Sequence, residues 1–328
     1  MSKPAIGFIG VGLMGHGMAR NMLEKGHALT VICHRNREPV DDLVRRGATE
    51  AISPRDLATR SEIVFTCLNS SPDVEDVILR DDGVLAGARP GTVVADASTS
   101  DPASTLRLAR ILSERGVVMC DTALGNSPVE AEAGTLNAFV GADPETFARL
   151  EPVIATWAAN IVHVGGVGDG HRVKLVNNFV GMAYVALFAE AFTACRAIGL
   201  DPQKLHDVVR PGGLYCGMFE RISRWVIQRD PKAHLMRVNN SLKDLGYYNR
   251  MVEDAGMTSL LGHAAQHLFA MAKSNGMGEL PMPRLVELVA AMNGVPQDRD
   301  ILREDKDNRR QGEPGSRHRR AADRPRKS

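Results

Sequence analysis

Gly10-Val11-Gly12-Leu13-Met14-Gly15 stands between an apolar run, Ala5–Gly10, that suits a buried strand and a run, His16–Glu24, that suits a helix stopped near Gly26. The spacing is Gly-x-Gly-x-x-Gly. Alone it carries little weight, but at a strand-to-helix turn each glycine has a task. Gly10 permits the tight turn, Gly12 lets backbone approach a pyrophosphate, and Gly15 lets helix and strand pack closely. Free N–H groups and the helix dipole at such a turn favour phosphate charge. A plain glycine turn is the competing reading, and the strand–helix context weighs against it. The expectation is a dinucleotide held at Gly10, Gly12, Leu13, Met14 and Gly15.

Working outward, the pattern repeats. Ala28–Cys33, Glu62–Leu68, Thr92–Asp96 and Val117–Asp121 are further apolar strands, each about one helix apart, and Leu136–Gly141 and Ile161–Val164 suit closing strands. Such alternation predicts an α/β fold, a doubly wound, Rossmann-like parallel sheet with helices on both faces. Strand signals stop after about Gly170. Lys174–Gly199 is apolar at helical spacing for far longer than an average helix of about 11–12 residues. Pro202–Val209, Ser241–Ala255, Ser259–Ser274 and Pro283–Met292 continue the helical pattern. The predicted organisation is a dinucleotide domain over 1–167 and an all-helical substrate and dimerisation domain over 168–296, with a long joining helix over about 170–199. A charged tail over 297–328 completes the chain, with eleven Lys/Arg, seven Asp/Glu and almost no large apolar residues. That composition cannot offset the entropy of ordering, so disorder is expected there.

With 328 residues, 44% hydrophobic and 24% charged, the chain can bury two cores. A net charge of +1 gives no general pull toward nucleic acid or anionic membrane. The five cysteines, Cys33, Cys67, Cys120, Cys195 and Cys216, contain no Cys-x-x-Cys pair and suit reduced thiols. Residues 1–9 lack the features of a signal peptide. Phe179–Cys195 is the nearest approach to a spanning segment, and Glu190 interrupts it. A cytoplasmic protein with no membrane partner is the expectation.

The second strand ends in Cys33-His34-Arg35-Asn36-Arg37. NAD sites carry an acid about there, bonded to the ribose 2′-OH. Here the acid is absent and two arginines are present, which suit a 2′-phosphate by charge and fork geometry. NADP is therefore favoured over NAD, with Arg35 and Asn36 as contacts. The alternative has one arginine stacked on adenine and the other solvated.

Lys174 and Asn178 are i and i+4 on the long helix and share a face, with Asn177 bordering it. Burial beside a cationic nicotinamide would lower a lysine pKa and make it a usable acid or base near neutrality. Taken alone, the stretch also suits a snorkelling lysine with two amides.

These residues carry a family likeness. From about Ile6 to about Asn293 the chain resembles the β-hydroxyacid dehydrogenases, the family of 3-hydroxyisobutyrate dehydrogenase and tartronate semialdehyde reductase. The likeness rests on Met14-Gly15-His16-Gly17-Met18-Ala19-Arg20-Asn21-Met22, on Leu68-Asn69 and on Asp96-Ala97-Ser98-Thr99. It extends through Asp121 to Gly134-Thr135-Leu136, the Lys174–Asn178 stretch and Lys243-Asp244-Leu245. The resemblance implies a nicotinamide-dependent oxidoreductase acting on a small 3-hydroxy acid. It implies Lys174 as acid/base, Asn178 orienting the substrate beside Asn177, cofactor contacts at Leu68, Asn69 and Thr99, and Lys243 reaching the cofactor from the helical domain. For Lys243-Asp244 alone, a solvated charge pair is the plainer reading.

One departure concerns the substrate. The family's Asp-x-Pro-Val-Ser-Gly-Gly becomes Asp121-Thr122-Ala123-Leu124-Gly125-Asn126-Ser127. Asn126 and Ser127 can still offer main-chain donors, and they add an amide and a hydroxyl. The branch resembling sulfolactaldehyde reductase also has glycine at the serine position but follows it with arginine. The loop Gly125, Asn126, Ser127 reads as an anion site for a carboxylate with a polar neighbour, such as a β-hydroxy amino acid. Gly276-Met277-Gly278-Glu279-Leu280-Pro281 departs from the usual Asp-x-Ser-Ala as well.

His263 and His267 have ligand spacing on a helix but no nearby carboxylate in the run, so no metal is expected. Met218, Phe219 and Trp225 suit core or dimer contacts, and Cys216 lacks a matched base. Two rivals remain: an imine reductase-like enzyme, which usually lacks the lysine, and a non-catalytic dinucleotide sensor or scaffold on the same fold. The basic tail alone favours a binding role. So much apolar helix needs covering that a homodimer or homotetramer is expected.

Overall fold

The computed structural model describes residues 3–296. The charged segment 297–328, expected to be disordered, lies outside the described residues.

The sheet is built from β1 (Ile6–Ile9), β2 (Leu29–Ile32), β3 (Thr49–Ala51), β4 (Ile63–Thr66), β5 (Val93–Asp96), β6 (Val118–Gly125), β7 (Leu136–Gly141) and β8 (Ala158–Gly165). Their order is β3-β2-β1-β4-β5-β6-β7-β8. All neighbours pair parallel except β6 and β7, which run antiparallel with Asp121 opposite Gly141 and Gly125 opposite Asn137. The doubly wound parallel sheet expected from the sequence departs from parallel pairing at this one place. Only residues 126–135 join β6 to β7, and a right-handed crossover needs roughly a dozen residues or more. Leaving β1, the chain turns one way to β2 and β3, then crosses back to β4, so the ends of β1 and β4 border a switch-point crevice.

The helices of this part are α1 (Gly15–Glu24), α2 (Glu38–Arg45), α3 (Pro54–Thr59), α4 (Ser71–Leu79), α5 (Val84–Gly87), α6 (Pro102–Ser113), α7 (Pro128–Ala133) and α8 (Pro144–Ile154). Their starts are written in the chain. Ser53, Asp101, Ser127 and Asp143 each cap an N-terminus through a side-chain oxygen, and each precedes a proline. That pairing satisfies a free N–H and presets the first helical φ. Ile6, Phe8, Phe65 and Trp157 are fully buried at the centre of one face of the sheet, while Leu57, Val64, Ile78 and Leu108 fill the other.

The second part is helical: α9 (Asp169–Ala197), α10 (Pro202–Val209), α11 (Gly217–Gln228), α12 (Val238–Asp254), α13 (Leu260–Ala272) and α14 (Leu285–Met292). The 29-residue α9 has a window of mean hydropathy 1.4 and would suit a bilayer span by length and composition. Here α11, α12, α13 and α14 pack around it, and Phe192 stacks on Phe219 of α11 with ring centroids 5.6 Å apart. Phe219 is 1% exposed, so its role is core. α11 has no counterpart among the helices expected from the sequence.

α9 is anchored to the sheet at its N-terminus. The fully buried Asp121 at the heart of β6 accepts the Gly168 N–H at 2.6 Å and the His171 N–H at 2.7 Å. A carboxylate there satisfies two free amides and meets the positive end of the helix dipole. His171, also buried, shares a 2.8 Å hydrogen bond with Thr105 and lies 3.7 Å from Asp96.

Candidate active site

The glycine loop sits at the end of β1 against β4. Gly10 has φ +100°, a left-handed conformation, and a Cβ on it would come within 2.3 Å of the Cys67 carbonyl. At Gly15 a Cβ would lie 2.1 Å from the Gly10 carbonyl, so α1 starts in direct contact with the turn. Gly12 is different: a Cβ there would meet nothing within 4 Å. Leu13 is 75% exposed and Met14 stands just before the first turn of α1, with no side-chain cap. Tight backbone on either side of an open glycine is the shape a dinucleotide pyrophosphate needs.

The strand ends beside this loop carry the remaining expected contacts. At the end of β2, Arg37 is committed elsewhere: it is bidentate to Glu50 at 2.9 and 2.8 Å and 3.1 Å from Asp41. The Glu50 hydrogen bonds first, and then both carboxylate charges, hold its pKa above the usual arginine value. Asn36 accepts the Glu38 N–H at 3.2 Å, at the start of α2. Arg35 is exposed and makes no ion pair or hydrogen bond among the described residues. Of the two arginines, Arg35 is thus the one at liberty for a phosphate. Leu68 follows β4, its N–H bonded to the Ser98 hydroxyl at 2.8 Å, with exposed Asn69 next to it. Thr99 follows β5, partly exposed.

From the helical part, α12 reaches across to these strand ends. Lys243 Nζ donates to the Thr99 carbonyl at 2.8 Å. The Ser71 N–H donates to the Tyr247 hydroxyl at 3.2 Å, and Arg250 pairs with Asp101 at 3.1 Å. Lys243 and Arg250 also lie 5.1 and 5.2 Å from the Tyr247 ring, at cation–π range. Lys243 is therefore no solvated charge.

Lys174, Asn177 and Asn178 lie in the first turns of α9, and Asn178 meets α12. Asn178 Nδ2 donates to Asp244 Oδ2 at 2.7 Å, and the other Asp244 oxygen lies 3.0 Å from Lys243. Asn177 is exposed and donates to Asn178 at 3.4 Å. Lys174 is partly buried and has no hydrogen bond or ion pair among the described residues. Burial lowers its pKa, the Asp244 charge opposes that, and Lys243 adds to it. A lysine so placed gives up its proton more readily than one in water.

The loop expected to take the substrate follows from Gly125, the last residue of β6. Gly125 is buried, and a Cβ there would lie 3.0 Å from Asn137 Cβ and 3.3 Å from the Phe139 ring, so the family's serine would crowd this strand. Asn126 takes φ +79°, keeping the left-handed backbone that a glycine would supply, and its amide is exposed. Ser127 departs from the expectation. Its N–H donates to Glu130 Oε2 at 2.9 Å and its hydroxyl bonds the same carboxylate in a capping box. Its donors are turned inward to α7, which leaves Asn126 as the free polar group of the loop.

Two residues that the sequence reading did not single out bear on these groups. Asp244 was read only as half of a charge pair, yet it fixes both Asn178 and Lys243. His234, between α11 and α12, is partly buried and its Nδ1 accepts the Met236 N–H at 3.1 Å. Burial, then the charges of Arg221 and Lys174, push its pKa down to about 4. No local motif marks His234 or Arg221. No group of three or more metal-ligating side chains occurs among the described residues, and His263 bonds Glu253 and lies beside Asn249.

Comparison with known proteins adds to this geometry. Residues 5–165 match the model for the NAD binding domain of 6-phosphogluconate dehydrogenase, and residues 168–289 match that for the NAD-binding of NADP-dependent 3-hydroxyisobutyrate dehydrogenase. The chain is 31% identical over 292 residues to 2-(hydroxymethyl)glutarate dehydrogenase of Eubacterium barkeri, spanning 88% of this chain and 96% of that one. It is 32% identical over 294 residues to 3-sulfolactaldehyde reductase of Escherichia coli, spanning 89% and 97%. Among solved structures, 3-hydroxyisobutyrate dehydrogenase from Salmonella typhimurium superposes with a TM-score of 0.77 at 25% identity, covering 87% of this chain and 99% of that chain.

Proposed function

The chain belongs to the β-hydroxyacid dehydrogenase family, and from that premise we propose how its cleft interconverts a small 3-hydroxy acid and its aldehyde or keto form with a nicotinamide dinucleotide. The observation that carries the proposal is Lys174: a partly buried amine of lowered pKa, free of partners, beside an Asn178 that Asp244 holds in place. When bound, the dinucleotide supplies or accepts the hydride. Lys174 gives its proton to the carbonyl oxygen in reduction, or takes the hydroxyl proton in oxidation. Asn178 orients the substrate, with Asn177 at the rim. Gly125 and Asn126 seat the carboxylate, while Ser127 acts by fixing the loop to α7.

In this reading residues 1–167 hold the dinucleotide and residues 168–296 close over it. Gly10, Gly12, Leu13, Met14 and Gly15 cradle the pyrophosphate, and Leu68, Asn69 and Thr99 line the nicotinamide side. Lys243 ties the two parts together at Thr99. Arg35 makes NADP the preferred cofactor over NAD. The exposed apolar stripe Val173, Val176, Val180, Tyr184 and Leu187 on α9, beside a groove of about 950 Å³ shared with α13 and α14, suits a second copy of the chain. A homodimer or homotetramer in the cytoplasm, without nucleic acid or membrane, completes the proposal.

The test is a steady-state panel of NADP+ and NAD+ against 3-hydroxyisobutyrate, glycerate, serine, the threonine isomers and phenylserine. Turnover of at least one 3-hydroxy acid, faster with NADP+, is expected. Cofactor binding without turnover of any member, in either direction, would instead favour the sensor reading.

A further inference from the structure

We propose that Asn137 of β7 is a specificity-determining residue, whose side-chain amide donates to the substrate carboxylate from the space that Gly125, having no side chain, leaves across the β6–β7 pair. The inference rests on the dehydrogenase reading and adds a residue to the proposed carboxylate seat.

The strand pairing puts the two residues together. Gly125 stands opposite Asn137 in the antiparallel register, Ala123 opposite Phe139, and Asp121 opposite Gly141. Side chains alternate along a strand, so positions 121, 123 and 125 share one face of β6, and 137, 139 and 141 continue it on β7. Asp121 identifies that face, because its carboxylate accepts the Gly168 and His171 N–H groups at the start of α9. Leu136, Ala138 and Val140 point the other way and are fully buried in the core. Asn137 and Phe139, on the α9 side, are only partly buried.

Distances fix the rest. A Cβ on Gly125 would lie 3.0 Å from Asn137 Cβ, 3.4 Å from Asn137 Nδ2 and 3.3 Å from Phe139 Cζ. The amide therefore occupies the space into which a side chain at 125 would grow. The Phe139 carbonyl oxygen, in turn, would lie 2.5 Å from a Cβ on Gly170 of α9. Lys174 follows Gly170 by four residues, on the same face of that helix. Gly125, Asn137 and Phe139 thus form one wall, and α9 meets it one turn before the proposed acid/base.

Two observations set Asn137 apart from a residue that merely builds the sheet. Asparagine is depleted in strands, yet here it sits between two fully buried apolar neighbours of β7. Its amide also makes no hydrogen bond among the described residues, and neither of its polar atoms is sealed in the interior. The polar groups around it are taken: Glu130 holds the Ser127 N–H and hydroxyl, and Asp121 holds the start of α9. An amide nitrogen carries two donors, which suits a carboxylate. Unlike the Ser127 hydroxyl, it has no internal partner to give up.

The experiment measures calorimetric binding of isobutyrate to the full chain saturated with NADP+, in parallel with KM and kcat for the best 3-hydroxy acid of the panel. Asn137→Ala should weaken isobutyrate at least tenfold, ~1.4 kcal/mol, with the loss falling on KM rather than kcat. Asn137→Asp keeps the shape but sets a carboxylate against that of the ligand, so it should weaken binding further. Gly125→Ser alone crowds Asn137 and should lower Tm. The double variant Gly125→Ser/Asn137→Ala has room for the hydroxyl and should recover affinity to within about threefold of wild type, one donor replacing another. A purely structural asparagine predicts neither the order of Ala and Asp nor that recovery. Equal binding by wild type and Asn137→Ala, or a double variant no tighter than Asn137→Ala, would overturn the proposal. Calorimetry does not depend on catalysis, so a failure of turnover with every hydroxy acid would count against the dehydrogenase reading alone.

Discussion

Asn178 on α9 donates to Asp244 on α12 at 2.7 Å, and through that bond one carboxylate joins the amide proposed to orient the substrate to the lysine that reaches Thr99. The same carboxylate sets the acidity of Lys174, because its charge raises a pKa that burial lowers. Oxidation needs the neutral amine, so its rate rises with pH through the Lys174 pKa; reduction needs the ammonium and falls through it. Removing the Asp244 charge lowers that pKa further. In Asp244→Asn the rising limb of the oxidation profile should move to lower pH, and kcat/KM should drop up to tenfold as Asn178 exchanges a charged acceptor for a neutral amide oxygen, at ~1.4 kcal/mol per decade. An unmoved limb would disconnect Asp244 from Lys174.

Arg35 and Arg37 are adjacent in kind but not in duty. Arg37 is spent on Glu50 and Asp41. Arg35→Ala should therefore reduce the NADP-over-NAD preference by about 10- to 100-fold, the worth of a charge-assisted bond of ~1.5–3 kcal/mol. Arg37→Ala should chiefly weaken the β2–β3 edge. Coenzyme titrations of both variants separate the two duties.

The glycines of the loop should fail in different ways. Gly15→Ala forces a Cβ to within 2.1 Å of a carbonyl oxygen and should cost about 2–3 kcal/mol of stability. Gly12→Ala meets open space, so its Tm should hold or rise slightly, while KM for the dinucleotide rises at least tenfold. Thermal melts with and without coenzyme distinguish the two.

Asp121, fully buried, gathers the Gly168 and His171 amides. Asp121→Ala leaves two buried N–H groups unsatisfied and should lower unfolding free energy by about 2–5 kcal/mol. A denaturant titration with an unchanged midpoint would contradict that anchoring role.

Much of this was legible because it is local. The glycine loop, its flanking strand and helix, and the absence of an acid after β2 are all read within thirty residues. The Lys174–Asn178 face follows from helical spacing alone. What escaped the reading depends on neighbours distant in sequence. The antiparallel β6–β7 pair follows from a connection too short for a crossover, a signal that was present but not used. The capture of Ser127 by Glu130 is the Ser-x-x-Glu capping signature, also present. That Arg37 belongs to Glu50 depends on β3 lying beside β2, and β3 is only three residues long. α11 lacks a strong start signal, since Cys216 rather than Ser or Asp caps it.

The central claim is that Lys174 moves the proton. Its most direct test is single-turnover hydride transfer in Lys174→Ala against wild type, with coenzyme affinity measured on the same samples by fluorescence. General acid–base catalysis is worth about 10²- to 10⁴-fold, so the variant should bind coenzyme with wild-type affinity and transfer hydride at least 100-fold more slowly. Transfer within tenfold of wild type would contradict the account.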